Sequence, residues 1–239
     1  MTIFVNDIAP SVQGEGEFAG VPIVILRLMT CNLKCSFKDG GFDCDTYYTW
    51  DKDRLGTGRH MTAEEILNEI VEYSSNVASN VVMLTGGEPL LWQNNREFNH
   101  LLRLLRSLNY SVHVETNGTI KPTRTTLDLI DVFAISPKHK QYPNRYTPES
   151  FLPFEHTHHF FKFVVGKFIE KKGTLFEFLA EKEVPRTDLI FIMPMGGTPE
   201  EIGESILYII ANQVLEKLKE MGYTRVFMTG REQIEGGFK

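Results

Sequence analysis

Apolar runs rich in Val, Ile and Phe recur along the chain, and amphipathic stretches separate them. VPIVILRLM (21–29), NVVMLT (80–85), YSVHVE (110–115), VFAIS (132–136), FFKFVVG (160–166), LIFIMP (189–194) and TRVFMT (224–229) read as strands buried on both faces. Helices fit between them, near 62–76, 95–108, 125–130, 168–182 and 199–220. Thr62-Ala63-Glu64-Glu65 has the form of a capping box, and Thr198-Pro199-Glu200-Glu201 puts proline at the first helical position. This alternation predicts a mainly parallel sheet with right-handed crossovers. The segment 139–160 has prolines and little periodicity and reads as a long loop across one face. His156, His158 and His159 lie in it, and we read them as a chance cluster rather than a metal site.

The strands end in polar sequence. Cys31-Asn32-Leu33-Lys34-Cys35 follows the first, and Thr85-Gly86-Gly87-Glu88-Pro89 closes the second. Glu115-Thr116-Asn117-Gly118, Ser136-Pro137-Lys138 and Met193-Pro194-Met195-Gly196 end three others. Single turns of this composition are ordinary. Several at the same ends of parallel strands mark the rim where α/β barrels place their sites. Within the first strand, alternation puts Ile23, Ile25, Arg27 and Met29 on one face and Val24, Leu26 and Leu28 on the other. A covered Arg27 needs an anion. A structural pair with Glu15, Glu17 or Glu115 and a clamp for a substrate carboxylate satisfy that need equally well. Gly86-Gly87 lets a ligand approach backbone amides, but lacks the lysine of a Walker loop and the third glycine of a dinucleotide fingerprint.

All three cysteines, Cys31, Cys35 and Cys44, fall within 31–46, CNLKCSFKDGGFDCDT. An odd number excludes a pure disulfide scaffold, and the polar surroundings argue against buried hydrophobes. A bound metal in a reducing compartment is the better explanation. Three thiolates can hold three irons of a four-iron cluster and leave the fourth open to a small molecule. Zinc with three cysteines and a histidine is the rival, although it usually shows a two-residue spacing.

The 239 residues are 42% hydrophobic with a net charge of −6. That suits one domain, 1–239, and disfavours a general nucleic-acid surface. No apolar run approaches the ~20 residues of a membrane span, and the N-terminus has no signal-peptide pattern. We therefore expect a cytoplasmic protein with no membrane and no nucleic-acid partner.

Together the motifs resemble a known family. CxxxC after the first strand and GGEP after the second are similar to the radical S-adenosylmethionine (SAM) enzymes. Ser11-Val12-Gln13-Gly14-Glu15-Gly16, Arg27, Cys44-Asp45-Thr46, Glu115-Thr116-Asn117-Gly118 and Ser136-Pro137-Lys138 occur in the order of the 7-carboxy-7-deazaguanine synthases, and Lys162-Phe163-Val164 and Met193-Pro194 extend the match. It spans roughly residues 4–196.

The resemblance implies an incomplete parallel (β/α) barrel, open on one side. It implies a lyase that converts 6-carboxy-5,6,7,8-tetrahydropterin to 7-carboxy-7-deazaguanine with loss of ammonia, toward queuosine-type deazapurines. Cys31, Cys35 and Cys44 would ligate a [4Fe–4S] cluster, and reductive cleavage of SAM would supply a 5′-deoxyadenosyl radical. Phe42, Asp45, Gly86, Gly87, Glu88, Glu115, Ser136, Pro137, Lys138, Met193, Pro194, Met195 and Gly196 would bind SAM. Val12, Gln13, Gly14, Glu15 and Thr85 would bind the pterin, Arg27 would hold its carboxylate, and Thr46 would bind Mg²⁺. An electron donor such as flavodoxin or ferredoxin and a homodimer are implied as well.

The sequence departs from the family in two places. Lys38–Asp43 enlarges the loop between the second and third cysteines, at small entropic cost, and leaves Phe37 and Phe42 as the aromatics able to pack over SAM. Near the C-terminus, Thr229-Gly230-Arg231-Glu232 stands where the family often has a Gln and a His. Two other readings remain. A glycyl-radical activase would have no use for SVQGEG or Arg27. A non-enzymatic zinc or iron–sulfur protein would leave the polar rim unexplained.

Overall fold

The computed structural model describes residues 2–35, 44–53, 57–166, 174–186 and 188–230. Their strands form one open sheet. β1 (Ile3–Val12), β2 (Pro22–Leu28), β3 (Arg59–Met61), β4 (Val81–Gly86), β5 (Ser111–Thr116), β6 (Val132–Ile135), β7 (His158–Val165), β8 (Leu189–Pro194) and β9 (Arg225–Met228) lie in the order β3-β1-β2-β4-β5-β6-β7-β8-β9. From β2 to β9 every pairing is parallel; β1 is antiparallel to both β2 and β3. This is the expected incomplete barrel.

β1 and β3 were not anticipated. β1 carries Asn6, Asp7 and Pro10, and its register shifts between Val5 and Asp7, so no clean alternation marks it. Ile3, Val5 and Ile8 are nevertheless core residues.

Six helices cover the outer face among the described residues: α1 (Ala63–Val77), α2 (Arg96–Ser107), α3 (Arg124–Leu129), α4 (Thr174–Glu181), α5 (Pro199–Ala211) and α6 (Val214–Glu220). Thr62 accepts from the Glu65 amide and Glu65 accepts from the Thr62 amide, so the capping box forms. Thr198 and Glu201 form another on α5. The single helix expected over 199–220 is in fact two. Gln213 is left-handed, with φ of 51°, and breaks the run. Apolar periodicity continues across that residue, which hides the break from the sequence.

Alternation divides each strand between two environments. Val24, Leu26 and Leu28 of β2 join Val82, Leu84, Val112, Val114, Phe161 and Phe163 in a core shared with the helices. Opposite-parity residues face the hollow of the sheet. Val132, Ala134, Phe160, Leu189 and Phe191 fill one part of it, with Phe18 packed against them.

The β6–β7 connection carries no helix. Its three short 3-10 turns bury Tyr146, Phe151 and Phe154 against Phe133, Phe161 and Phe178. His158 and His159 belong to β7, not to the loop. They point to different partners, Glu17 at 2.7 Å and Asp188 at 3.1 Å.

His113 of β5 is buried under Phe18, with ring centroids 4.5 Å apart. Burial pushes its pKa down to about 4, with His158 adding repulsion while Asp131 and Glu17 oppose the shift. Folded His113 thus resists a proton that the unfolded chain accepts near 6.5. Its contribution to stability is complete above pH 6.5 and is lost as pH falls toward about 4. Urea unfolding across that window should show a fall in stability with acid that a His113→Leu variant flattens.

Candidate active site

The strand that starts the site continues past its last sheet pair. The Gly87 amide donates to the Leu28 carbonyl at 3.0 Å, and the Glu88 amide donates to the Thr30 carbonyl at 2.8 Å. These bonds hold the segment leading to Cys31 against the Gly-Gly turn. Neither glycine can be replaced without disturbance. A Cβ on Gly87 would lie 1.7 Å from the Thr30 carbonyl oxygen, and Gly86 has φ of 107° with Leu28 backbone 2.5 Å from a notional Cβ.

The cysteine segment is braced on its other sides. The Asn117 side-chain amide donates to Asn32 at 3.0 Å, and Asn32 donates to Thr119 at 2.7 Å. The Tyr142 hydroxyl donates to the Lys34 carbonyl and accepts from the Lys34 amide. The Cys44 amide donates to the Cys35 carbonyl at 3.4 Å, which closes the neck of the enlarged loop. Thr46 donates to the Gly86 carbonyl at 2.9 Å and lies 3.4 Å from the Cys44 sulfur.

These elements enclose a cavity of about 470 Å³. Cys31, Cys35, Cys44, Asp45 and Thr46 line one wall, with Gly86, Gly87 and Thr85 beside them. Val12, Gln13, Gly14, Glu15 and Arg27 line another, and Glu115, Ser136, Lys138 and Met193 complete the rim. The remaining candidates lie elsewhere. Glu88 is fully buried behind the glycines and spends its carboxylate on the Leu90 amide, the Thr116 hydroxyl and the Asn117 amide. It is a brace between the ends of β4 and β5, not a wall of the cavity. Pro137, Pro194, Met195 and Gly196 are buried and do not line it. Phe42 and Phe37 fall outside the described residues, as does most of the enlarged loop.

Several lining residues escaped the sequence reading. Ile23, Ile25 and Met83 form an apolar side, and Tyr48 and Trp50 add aromatic surface. Ile23 and Ile25 share a strand face with Arg27, which was the available signal. Lys162 stands out only as part of the Lys162-Phe163-Val164 match, and one lysine in FFKFVV gives no sign of its partners.

Charge in the cavity is unevenly partnered. Lys162 is buried, forms an ion pair with Glu15, and lies 3.4 Å from Glu115. Burial opposes its charge, but the Glu115 and Glu15 carboxylates outweigh that and hold its pKa above the ordinary lysine value. Glu115 feels the converse. Burial favours its neutral form, yet Lys162, the Thr85 hydroxyl and Arg27 keep its pKa below the usual carboxylate range. Arg27 makes no hydrogen bond or ion pair with any described residue. Without a counter-charge, burial pushes the Cys31 thiol up to about 12. A cation that takes thiolate ligands supplies that counter-charge. The donor set suits iron–sulfur ligation: three thiols lie on one wall beside a glycine cradle with open backbone. Among the described residues, no group of three His, Cys, Asp or Glu side chains converges on a single ion.

The chain is similar to known proteins in sequence and in fold. The radical SAM superfamily profile matches residues 27–137. The chain is 37% identical over 204 residues to the 7-carboxy-7-deazaguanine synthase of Pyrobaculum aerophilum, covering 84% of this chain and 83% of that one. It is 33% identical over 203 residues to that of Hyperthermus butylicus, covering 83% and 78%. Among solved structures, QueE from Escherichia coli matches with a TM-score of 0.61 at 23% identity, covering 96% of this chain and 94% of that one. SuiB from Streptococcus suis, bound to S-adenosylmethionine, matches at 0.51 with 14% identity, over 85% of this chain and 48% of that one. At such identities the structural likeness is one of fold.

Gly87→Ala drives a methyl group into the Thr30 carbonyl. Iron and sulfide content after anaerobic reconstitution should fall severalfold, while far-ultraviolet circular dichroism stays close to that of the parent.

Proposed function

We propose, because the chain belongs to the 7-carboxy-7-deazaguanine synthase family within the radical SAM superfamily, that its cavity converts 6-carboxy-5,6,7,8-tetrahydropterin to 7-carboxy-7-deazaguanine with loss of ammonia. One observation carries this reading. Arg27 has no ion-pair partner among the described residues, and it shares one chamber with three thiols and the Gln13–Glu15 turn.

In this reading Cys31, Cys35 and Cys44 hold a [4Fe–4S] cluster. Gly86 and Gly87 leave backbone open to the methionine end of SAM, and Asp45, Glu115, Ser136, Lys138 and Met193 contact the rest of it. Pro137, Pro194, Met195 and Gly196 shape the rim from behind, and Glu88 holds the glycine turn. The bound cluster and SAM supply the radical that removes hydrogen from the substrate.

The chain's part is to bind, orient and shield. Val12, Gln13, Gly14 and Thr85 contact the pterin edge, and Glu15 accepts from its amino group. The Arg27 fork takes the carboxylate in two charge-assisted hydrogen bonds. Thr46 donates to the Gly86 carbonyl, and its oxygen keeps lone pairs free for Mg²⁺, a hard cation that prefers oxygen. Ile23, Ile25 and Met83 keep water from that side of the reacting ring.

A one-electron donor such as flavodoxin or ferredoxin and a homodimer complete the reading. Both rest on the family alone. Three cysteines outside any disulfide suit a reducing, cytoplasmic setting. No helix among the described residues is long and apolar enough to cross a membrane. A glycyl-radical activase would have no need for Arg27 or the Gln13–Glu15 turn, which here share the chamber with the cysteines.

The test is anaerobic turnover with dithionite, SAM, Mg²⁺ and the carboxylated tetrahydropterin, read by product mass. Arg27→Ala should lower kcat/KM by about 100-fold or more through loss of a bidentate ion pair. SAM cleavage with an intact pterin in the parent enzyme would remove the substrate assignment. Chelation by EDTA should lower turnover, and Mg²⁺ should restore it.

A further inference from the structure

Lys162 lies between two carboxylates of the chamber, and its position has a consequence for a third group. Its Nζ pairs with Oε2 of Glu15 and lies 3.4 Å from Oε1 of Glu115. The other Glu115 oxygen accepts from Thr85 at 2.9 Å, so both oxygens of Glu115 are engaged. Glu15 differs. Its Oε1 makes no hydrogen bond to any described residue, and the residue lines the cavity. The chamber thus holds one carboxylate fully committed within the protein and one pinned by a single oxygen. Arg27 is the neighbouring cation. It pairs in register with Thr85, the residue hydrogen-bonded to Glu115, yet forms no ion pair with any described residue. A free guanidinium beside a buried carboxylate persists only if another cation already serves that carboxylate.

We propose that Lys162 is a positioning residue that sorts the charges of the chamber: by serving Glu15 and Glu115 it leaves Arg27 free for a substrate carboxylate and fixes Glu15 to read an amino-pyrimidinone edge. The proposal deepens the pterin reading above and rests on it. Two consequences follow from electrostatics. Without Lys162, Arg27 is the next cation whose charge acts on Glu115, and closing on it loses the carboxylate clamp. Without Lys162, Glu15 also loses the contact that orients its free oxygen, and selectivity for the amino group falls.

The test is equilibrium binding to the cluster-loaded enzyme, read from the fluorescence of three oxidised pteridines. They are 6-carboxypterin, pterin without the carboxylate, and 6-carboxylumazine, in which oxygen replaces the 2-amino group. The parent enzyme should prefer 6-carboxypterin over each of the others by about tenfold or more. Lys162→Met should cut both preferences to about threefold or less, and Lys162→Arg should keep them. The double variant Lys162→Met with Glu115→Gln removes the carboxylate that captures Arg27. It should regain the preference for the carboxylate and not the preference for the amino group.

A Lys162→Met enzyme that weakens all three ligands by one common factor, or keeps both preferences, overturns the proposal. If Lys162→Met does not take up the cluster, Lys162→Gln, which retains a donor to Glu15 but no charge, should lose the preference for the carboxylate and keep that for the amino group; keeping both, or weakening all three ligands alike, overturns the proposal. A parent enzyme with no preference for 6-carboxypterin overturns the substrate reading itself. That result is distinct from a parent with both preferences whose Lys162 variants leave them unchanged.

Discussion

The contact on which the site depends is the approach of Gly87 to the Thr30 carbonyl. No side chain fits between them, so the β4 turn lies directly on the backbone that leads into Cys31. Thr30 takes an uncommon positive φ of 79° to make that junction, and its amide is held by the Thr49 carbonyl. The β2–β4 pairing is thereby extended into the region where the cysteines stand. The thiol wall is positioned by sheet hydrogen bonding rather than by the loop's own preferences.

Glu88 propagates this order. Its burial would be costly if its oxygens were unpaired, and burial alone raises its pKa. The Asn117 and Leu90 amides and the Thr116 hydroxyl repay much of that cost. Because Thr116 and Asn117 sit at the end of β5, Glu88 ties the Gly-Gly turn to the Asn117 turn. Asn117 then reaches Asn32 across the cysteine segment. Tyr146 adds a strut, accepting from the Lys138 amide and donating to the Asn117 carbonyl. A single polar lattice therefore joins three strand ends, and a buried aromatic loop supports it from outside.

The parallel strands and their polar ends were legible because both leave local marks: β-branched runs, and glycine, proline or asparagine after them. The inward face of β2, with Arg27 on it, followed from period-two alternation. Three things were hidden for different reasons. β1 lacks alternation because its register slips and proline interrupts it. Glu88 reads like a site residue since it follows two glycines, and only the positions of Thr116 and Asn117, distant in sequence, reveal that it faces inward. Lys162 is a pairing of residues 147 positions apart in sequence, beyond any local pattern. The aromatic residues of 139–160 marked a packed segment, but prolines suppressed the periodicity that would have shown it.

The Gly16 amide donates to the Thr229 hydroxyl at 2.9 Å, joining positions 213 apart in sequence. The turn from Gln13 to Gly16 is thus anchored by a residue that directly follows β9. The thiol wall, the glycine cradle and the β5 turn all precede residue 120, and their bonds to one another need nothing later in the chain. During synthesis, the residues of the glycine cradle and the cysteine segment emerge well before Thr229, so the opposite half of the chamber acquires its fastening later.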